Sequence, residues 1–298
     1  MGHLVPSGAT PSRIDRSEAA RLETGIPAGG IGSYLALTLL VLFAMGPIIL
    51  FVFNSLKTNS ELAINPLGPP LQPRWSNFID AWVGANLAAG FLNSALIVSG
   101  TILGTCFVAI GAAYAMARLR VPGSAALLIY LIIGSALPTQ LFITPIFYLW
   151  VKVNLYNTQI GLIIIYIGLF SPFATLLLRS FLMGIPVEYE EAARVDGAGD
   201  WQVLWHIVLP QAWPGIVSIA LVSGLAAYDE FLYAVTFLQD TDKLPVSIAL
   251  YSFQTSTYMR NQVLVNAAGV LMMVPVLVFF LLVQRRLVAG LTAGGLVA

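Results

Sequence analysis

The chain has 298 residues, 58% hydrophobic and only 9% charged, where a soluble domain carries about 25% charged residues. Net charge is zero, which leaves no whole-chain case for nucleic-acid binding. The single cysteine, Cys106, lies in an apolar run and excludes an intrachain disulfide.

Such a composition specifies an all-α polytopic membrane protein, its helices buried against the lipid bilayer and one another. Residues 1–32 mix Gly, Pro, Ser and charge without apolar periodicity and read as a cytosolic tail with no signal-peptide cleavage site. The first transmembrane helix falls in 33–54, its uncharged stretch running from Tyr34 to Phe53 with Pro47 as a kink point. Residues 55–91 form an external loop in which Pro66, Pro69, Pro70 and Pro73 disfavour regular helix. Residues 92–284 hold a five-helix core. Span two runs from about Leu92 to Ala117, and its Gly100, Gly104, Gly111 and Ala115 mark a helix–helix contact. Arg118 and Arg120 follow as a short basic loop. Span three lies within Ser124–Trp150 and carries Pro138, Gln140, Thr144 and Pro145. It is a kinked, polar-dotted helix, read either as a pathway wall or as packing. Span four runs from about Thr158 to Leu178, with a possible bend at Ser171-Pro172.

Residues 180–211 break the apolar pattern with charge and glycine. They read as two short helices. Pro186 suits the first turn of the first helix, and Glu188, Glu190 and Glu191 place negative charge at its positive end. Asp196-Gly197 ends it, because glycine reaches the left-handed region at low cost. Asp200 caps a second helix carrying Trp201 and Trp205 one turn apart and ending at Pro210. Such a pair offers a soluble partner something rigid to grip.

Span five runs from about Ala212 to Leu238 and holds Tyr228, Asp229 and Glu230. Ionisable residues at membrane depth are costly, so these three are candidates for a gate or cavity, with interfacial anchoring as the competing reading. Residues 239–262 form a second external loop, span six runs from about Val263 to Val283, and 285–298 form a second cytosolic tail. Six spans put both termini on one side. With both inside, Arg13, Arg16, Arg21, Arg118, Arg120, Arg179, Arg194, Arg285 and Arg286 face the cytosol, against Lys57, Arg74, Lys152, Lys243 and Arg260 outside.

The chain has no phosphate-binding G-x-x-x-x-G-K-[ST] loop and no G-x-S-x-G elbow. His3, His206 and one cysteine do not make a zinc cluster. It is not read as an enzyme, and no metal site or cofactor is assigned to it. If it drives uphill transport, the energy comes from a partner.

Glu191-Ala192-Ala193, three residues, Gly197, nine residues, Ile207, one residue and Leu209-Pro210 resemble the "EAA" loop of ABC-importer permeases. Asn157–Leu162 resembles the start of span four in the sugar-importer branch. Leu178–Pro186 resembles its lead-in to the EAA loop. Tyr228-Asp229-Glu230-Phe231 resembles its W-N-E-F signature, with Tyr and Asp in place of Trp and Asn. Gly290–Gly295 resembles the tail of the second permease of maltose-type importers. The resemblance runs from about Ser33 to the C-terminus. It implies a type I ABC importer permease fold and a cell-membrane assembly with a second, non-identical permease, two copies of an ATPase holding ATP and Mg, and an extracytoplasmic binding protein for di- or oligosaccharides. It further implies that Val187–Val195 is a coupling helix seated in the ATPase. The ATPase-coupling set is then Glu190, Glu191, Ala192, Ala193, Asp196, Gly197, Ile207, Leu209 and Pro210. Glu191 would pair with a basic residue of the ATPase, Ala192 and Ala193 would permit close approach, and Leu209-Pro210 would fix the return into span five. Leu291, Thr292, Gly294 and Gly295 would reach the ATPase dimer, while Gln140, Thr144, Tyr228, Asp229 and Glu230 are the pathway candidates. An ABC permease for another solute (polyol, glycerol phosphate, amino acid or metal chelate) remains an alternative, as does an ion-coupled secondary transporter, although no clear inverted repeat supports the latter.

Overall fold

The computed structural model describes residues 31–119, 121–255 and 261–295, with side chains described as far as Leu281. The expected N-terminal tail thus lies almost wholly outside the described residues, as do Arg120 and Arg260. Among the described residues every regular element is helical. The chain divides into two units, one ending at Phe51 and the other beginning at Val52.

Helix α1, Ile31–Ser55, is uncharged and takes Pro47 within its length. In the second unit, α2 (Asn59–Ile64) starts at Thr58, whose hydroxyl accepts from the Glu61 N–H at 3.0 Å. The proline-rich stretch stays non-helical, but α3 (Ser76–Gly84) follows it, so the expected loop contains two short helices. Lys57 is fully buried there. Its ammonium donates to Asn54 Oδ1 at 2.8 Å and to Asn65 O at 2.7 Å, which offsets the cost of burying the charge.

Helix α4 spans Leu87–Arg118. Span three is not one kinked helix: α5 (Ser124–Ala136) and a second segment, a 3₁₀ turn at Thr139–Phe142 leading into α6 (Ile143–Lys152), meet at 97°. The cause is local. Pro138 forces Leu137 into an extended conformation, φ −73° and ψ 139°, and withholds the N–H that would continue the helix. Helix α7 is Gln159–Met183, α8 is Glu188–Val195, and α9 runs over Asp200–Asp229. Span five therefore ends at Asp229 rather than Leu238. Beyond it come α10 (Leu232–Phe237), a 3₁₀ turn at Thr241–Lys243 and α11 (Val246–Thr255), so the second expected loop is also partly helical. Helix α12 continues from Gln262 to Gly295, straight through the expected tail boundary. Among the described residues five helices are long and apolar enough to cross a membrane, and α5 with α6 makes a sixth if taken as one broken span. At 1.5 Å per residue, α12 is about 50 Å long and overreaches a hydrocarbon core of about 30 Å.

The most extensive pairing is α4 with α7. A Cβ on Gly100 would meet the Ile163 side chain at 2.8 Å, and one on Gly104 would overlap Ile167. These glycines admit the α7 isoleucines, so the small-residue face serves intrachain packing. Gly111, by contrast, faces nothing within 4 Å.

Candidate functional site

The charged loop sits at the end of the bundle where α4 and α7 finish. Helix α8 begins at Glu188, with Val187 as its cap and Pro186 outside it, so Pro186 leads into the helix rather than occupying its first turn. Three glutamates in the first turn face the positive end of the dipole. The helix ends in a paired closure: Gly197 N–H donates to Arg194 O at 3.0 Å and Ala198 N–H to Ala193 O at 2.9 Å. This closure needs a left-handed residue, and Gly197 has φ +90°.

The second loop helix differs from expectation twice. Gly199 is its cap, with its N–H donating to Gln202 Oε1 at 2.9 Å. Asp200 is the first helical residue, and its Oδ1 accepts from Arg194 Nη2 at 2.9 Å in a solvent-exposed pair. Nor does the helix end at Pro210. Residues Leu204–Val208 widen into a π turn in which Leu209 N–H donates to Leu204 O, and the helix then continues through Pro210 to Asp229. A π turn absorbs one residue of register, and it lies where proline would otherwise disturb the preceding turn. The loop is thus continuous with span five.

The proposed coupling residues divide by side. Glu191, Ala192, Asp196, Gly197 and Pro210 are exposed; Ala193 and Ile207 are half-buried and Leu209 is buried. Val187 and Val195, exposed and apolar, stand one turn to either side of Glu191 along the chain, Tyr189 is exposed on the same helix, and the second loop helix exposes an edge-to-face pair of Trp201 and Trp205 with ring centroids 5.8 Å apart. Glu190 is a correction. It is 1% exposed and faces Arg118, with Nε to Oε1 at 2.6 Å, so it offers a partner protein no surface. Arg118 Nη2 also donates to Leu182 O and Ile185 O, both at 2.6 Å. Sequence reasoning placed Arg118 in a basic loop; it is instead the last residue of α4. Spacing along one chain gives no signal for a pairing between residues 118 and 190, which only the packing of α4 beside α7 creates.

At the other end of the second unit, the pathway candidates are not gathered into one site. Glu230 caps α10: Oε1 accepts from the Leu232 and Tyr233 N–H groups, each at 3.0 Å, and Oε2 accepts from Ala234 N–H at 3.2 Å and Tyr166 O–H at 2.8 Å. Tyr233 O–H in turn donates to Thr139 O at 2.5 Å, at the break in span three. Glu230 is therefore a structural cap and hinge clamp rather than a free pathway wall. Glu230→Ala removes the cap and orphans a buried tyrosine hydroxyl, a loss of about 2–4 kcal/mol. We expect a clearly lower melting temperature in detergent, with Glu230→Gln intermediate; an unchanged melting temperature would contradict the capping role.

Asp229 and Thr144 are exposed, and Gln140 is exposed beside the break. Tyr228 donates its hydroxyl to Met272 O at 2.9 Å, and its ring lines a cavity of about 360 Å³ between α4, α9 and α12, with Phe91, Val98, Ile102, Leu225 and Phe279. Those walls are apolar and do not resemble a sugar site. Nearby, the 238–244 segment is strapped to the start of α7. Asn157, left-handed at φ +57°, accepts from Gln239 N–H at 3.0 Å and Asp240 N–H at 3.1 Å. The hydrogen bond from Lys243 holds the Asp240 carboxyl below the usual carboxylate range. Of the expected tail residues, Leu291, Thr292, Gly294 and Gly295 lie on the α12 backbone, and their side chains are outside the described residues.

Comparison with known proteins converges on one family. The model for binding-protein-dependent transport system inner membrane components matches residues 107–292. The chain is 30% identical over 263 residues to the diacetylchitobiose uptake system permease protein NgcG of Streptomyces coelicolor, covering 88% of this chain and 87% of that one. It is 33% identical to the sulfoquinovosyl glycerol transport system permease protein SmoH of Agrobacterium fabrum, covering 88% and 92%. It is 32% identical to the trehalose transport system permease protein SugB of Mycobacterium tuberculosis, covering 86% and 94%. Among solved structures, a chain of a bacterial ABC transporter that imports the acidic polysaccharide alginate superposes with a TM-score of 0.76 at 21% identity, covering 93% of this chain and 99% of that chain. That likeness establishes the type I importer permease fold. A loop helix presented on a bundle of membrane-spanning helices, carried on a sequence this close to transport permeases, makes the chain a member of the binding-protein-dependent transport system inner membrane component family, a multi-pass membrane permease and not an enzyme.

Proposed function

We propose that this permease is one of two unlike membrane subunits of an ATP-driven importer for di- or oligosaccharides. Two copies of a separate ATPase, holding ATP and Mg, work beneath it, and an extracytoplasmic sugar-binding protein delivers the solute from the other side. Both termini and the 180–211 loop face the cytosol. The saccharide class is supported by the names of the relatives, which span diacetylchitobiose, a sulfoquinovosyl glycoside and trehalose, and by a solved alginate transporter in complex with an oligosaccharide-bound periplasmic protein.

The observation that carries the reading is the outer face of α8. Glu191 stands exposed between Val187 and Val195, on a helix tied in its first turn by Glu190 to Arg118 and closed at its end by Gly197. Two exposed carboxylates one turn apart, Glu188 and Glu191, beside apolar Val187 and Val195 fit a groove that offers basic residues, and such a face on a soluble end marks a protein contact. Exposed Ala192 lets a partner approach closely. ATP-driven closure of the ATPase then shifts α8 and α9 and switches the bundle between two states, as coupling between distant sites requires. Overhanging α12 carries Leu291, Thr292, Gly294 and Gly295 toward the ATPase dimer.

The test is Glu191→Lys in the complex reconstituted with its ATPase and binding protein. Reversing a charge at an interface contact costs several kcal/mol, so uptake is expected to fall at least about tenfold while the protein still inserts. Unchanged uptake would remove α8 from the coupling interface. Loading the cognate binding protein with a panel of mono-, di- and oligosaccharides and polyols tests the solute class.

A further inference from the structure

Three elements close on one cation at the loop end of the second unit. Arg118, at the end of α4, is 7% exposed and Glu190, in the first turn of α8, is 1% exposed. The same guanidinium binds two carbonyls, one in the last turn of α7 (Leu182) and one in the lead-in to α8 (Ile185). Leu182 O already accepts from the Ile185 N–H at 3.1 Å, so the guanidinium fastens that turn, and the planar fork of arginine can serve such carbonyls and a carboxylate together. Water does not compete at a joint this buried, so the link is stiff. The exposed Arg194–Asp200 pair, at 40% and 64%, lacks that quality.

Without this link, α8 rests on the turn at Gly184-Ile185-Pro186, on packing around Ala193 and Ala198, and on Arg194 beside Tyr114 of α4. Its movement would then pass to the spans through softer contacts. With it, a displacement of α8 pulls on α4 and α7, which are already locked by Gly100 and Gly104 against Ile163 and Ile167. Helix α4 carries that movement along its length to Phe91, Val98 and Ile102 in the wall of the cavity.

We infer that Arg118 is the positioning residue through which movement of α8 enters α4 and α7, an inference that rests on α8 being the ATPase-facing helix. The prediction is uncoupling rather than loss of assembly. The experiment uses the complete transporter in liposomes and measures sugar moved per ATP hydrolysed. Arg118→Gln and Glu190→Gln are expected to lower that ratio about tenfold, within the range of typical coupling energies, while the ATPase still co-purifies and hydrolyses ATP. Because removing one member of a buried pair can unfold a protein, the double variant Arg118→Met with Glu190→Met supplies a folded control. A buried ion pair replaced by apolar side chains of similar size usually keeps stability, yet the carbonyl clamp is gone, so the ratio is again expected to fall. A ratio within twofold of the unmodified protein in the double variant overturns the inference. Failure of all three variants to assemble also overturns it, since Arg118 would then serve folding alone. Glu191→Lys separates the two levels: if it too leaves uptake intact, the coupling role of α8 has failed; if it abolishes uptake while the Arg118 variants stay coupled, only the joint has failed.

Discussion

Gly161→Ala is expected to destabilise the protein by about 3 kcal/mol, and Gly161→Val to abolish accumulation in the membrane. Gly161 lies in the first turn of α7, fully enclosed. A Cβ there would fall onto the Leu155 carbonyl oxygen and lie 2.9 Å from both Thr158 Oγ1 and Trp150 Nε1. The carbonyl belongs to the backbone and has no rotamer to yield. Moving it disturbs the Thr158 cap, whose hydroxyl donates to Leu155 O at 2.7 Å and accepts from Gly161 N–H at 3.0 Å, and the bond from Trp150 Nε1 to Gly161 O at 3.0 Å. Overpacking costs about 1–3 kcal/mol, and each weakened hydrogen bond about 1 kcal/mol more. The second half of span three loses its anchor on α7, so the effect is global. Thermal unfolding of the detergent-purified protein, with membrane yield as a second readout, checks it. An alanine variant that melts with the parent would show that this junction can relax.

Gly197→Pro is expected to abolish uptake while Gly197→Ala reduces it modestly. At φ +90° an alanine pays about 1–2 kcal/mol of backbone strain, with no side-chain clash because nothing lies within 4 Å of its Cβ. Proline fixes φ near −65°, deletes the N–H that binds Arg194 O, and disfavours the near-helical conformation of Asp196, φ −75° and ψ 1°. The α8 closure must then re-form elsewhere, and the angle between α8 and α9 changes. Insertion is unaffected, because Gly197 is exposed and outside the apolar spans. Uptake in liposomes, with ATPase co-purification as the control, measures the effect. Full transport by the proline variant would contradict a rigid α8–α9 elbow.

These two glycines show where sequence reading succeeds and where it stops. The stop at Gly197 is local chemistry: a glycine after an amphipathic turn, with the charge pattern of α8 before it, points to the closure the structure contains. Gly161 carries no such mark. Its constraint comes from Trp150 and Leu155, brought against it by the turn between α6 and α7. The break in span three was announced by Pro138, but its 97° angle was not, since a proline in lipid can equally give a mild kink. The end of span five was misplaced because Phe231–Leu238 is as apolar as the helix before it. The stop is made at Glu230, whose carboxylate reaches forward to accept from the first N–H groups of α10.

The chain's apolar runs and its loop of charge and glycine by themselves determined a polytopic helical membrane protein with a helical loop between spans four and five, because hydrophobicity, helix stops and caps are properties of neighbours in sequence; the spacing from Glu191 to Pro210 added the resemblance to importer permeases. Only the tertiary structure decided that Glu190 turns inward to Arg118, that Glu230 clamps a hinge, and that Gly100 and Gly104 receive Ile163 and Ile167. Each of these joins residues far apart along the chain, and a buried charge or a close approach takes its meaning from whatever packing places opposite it.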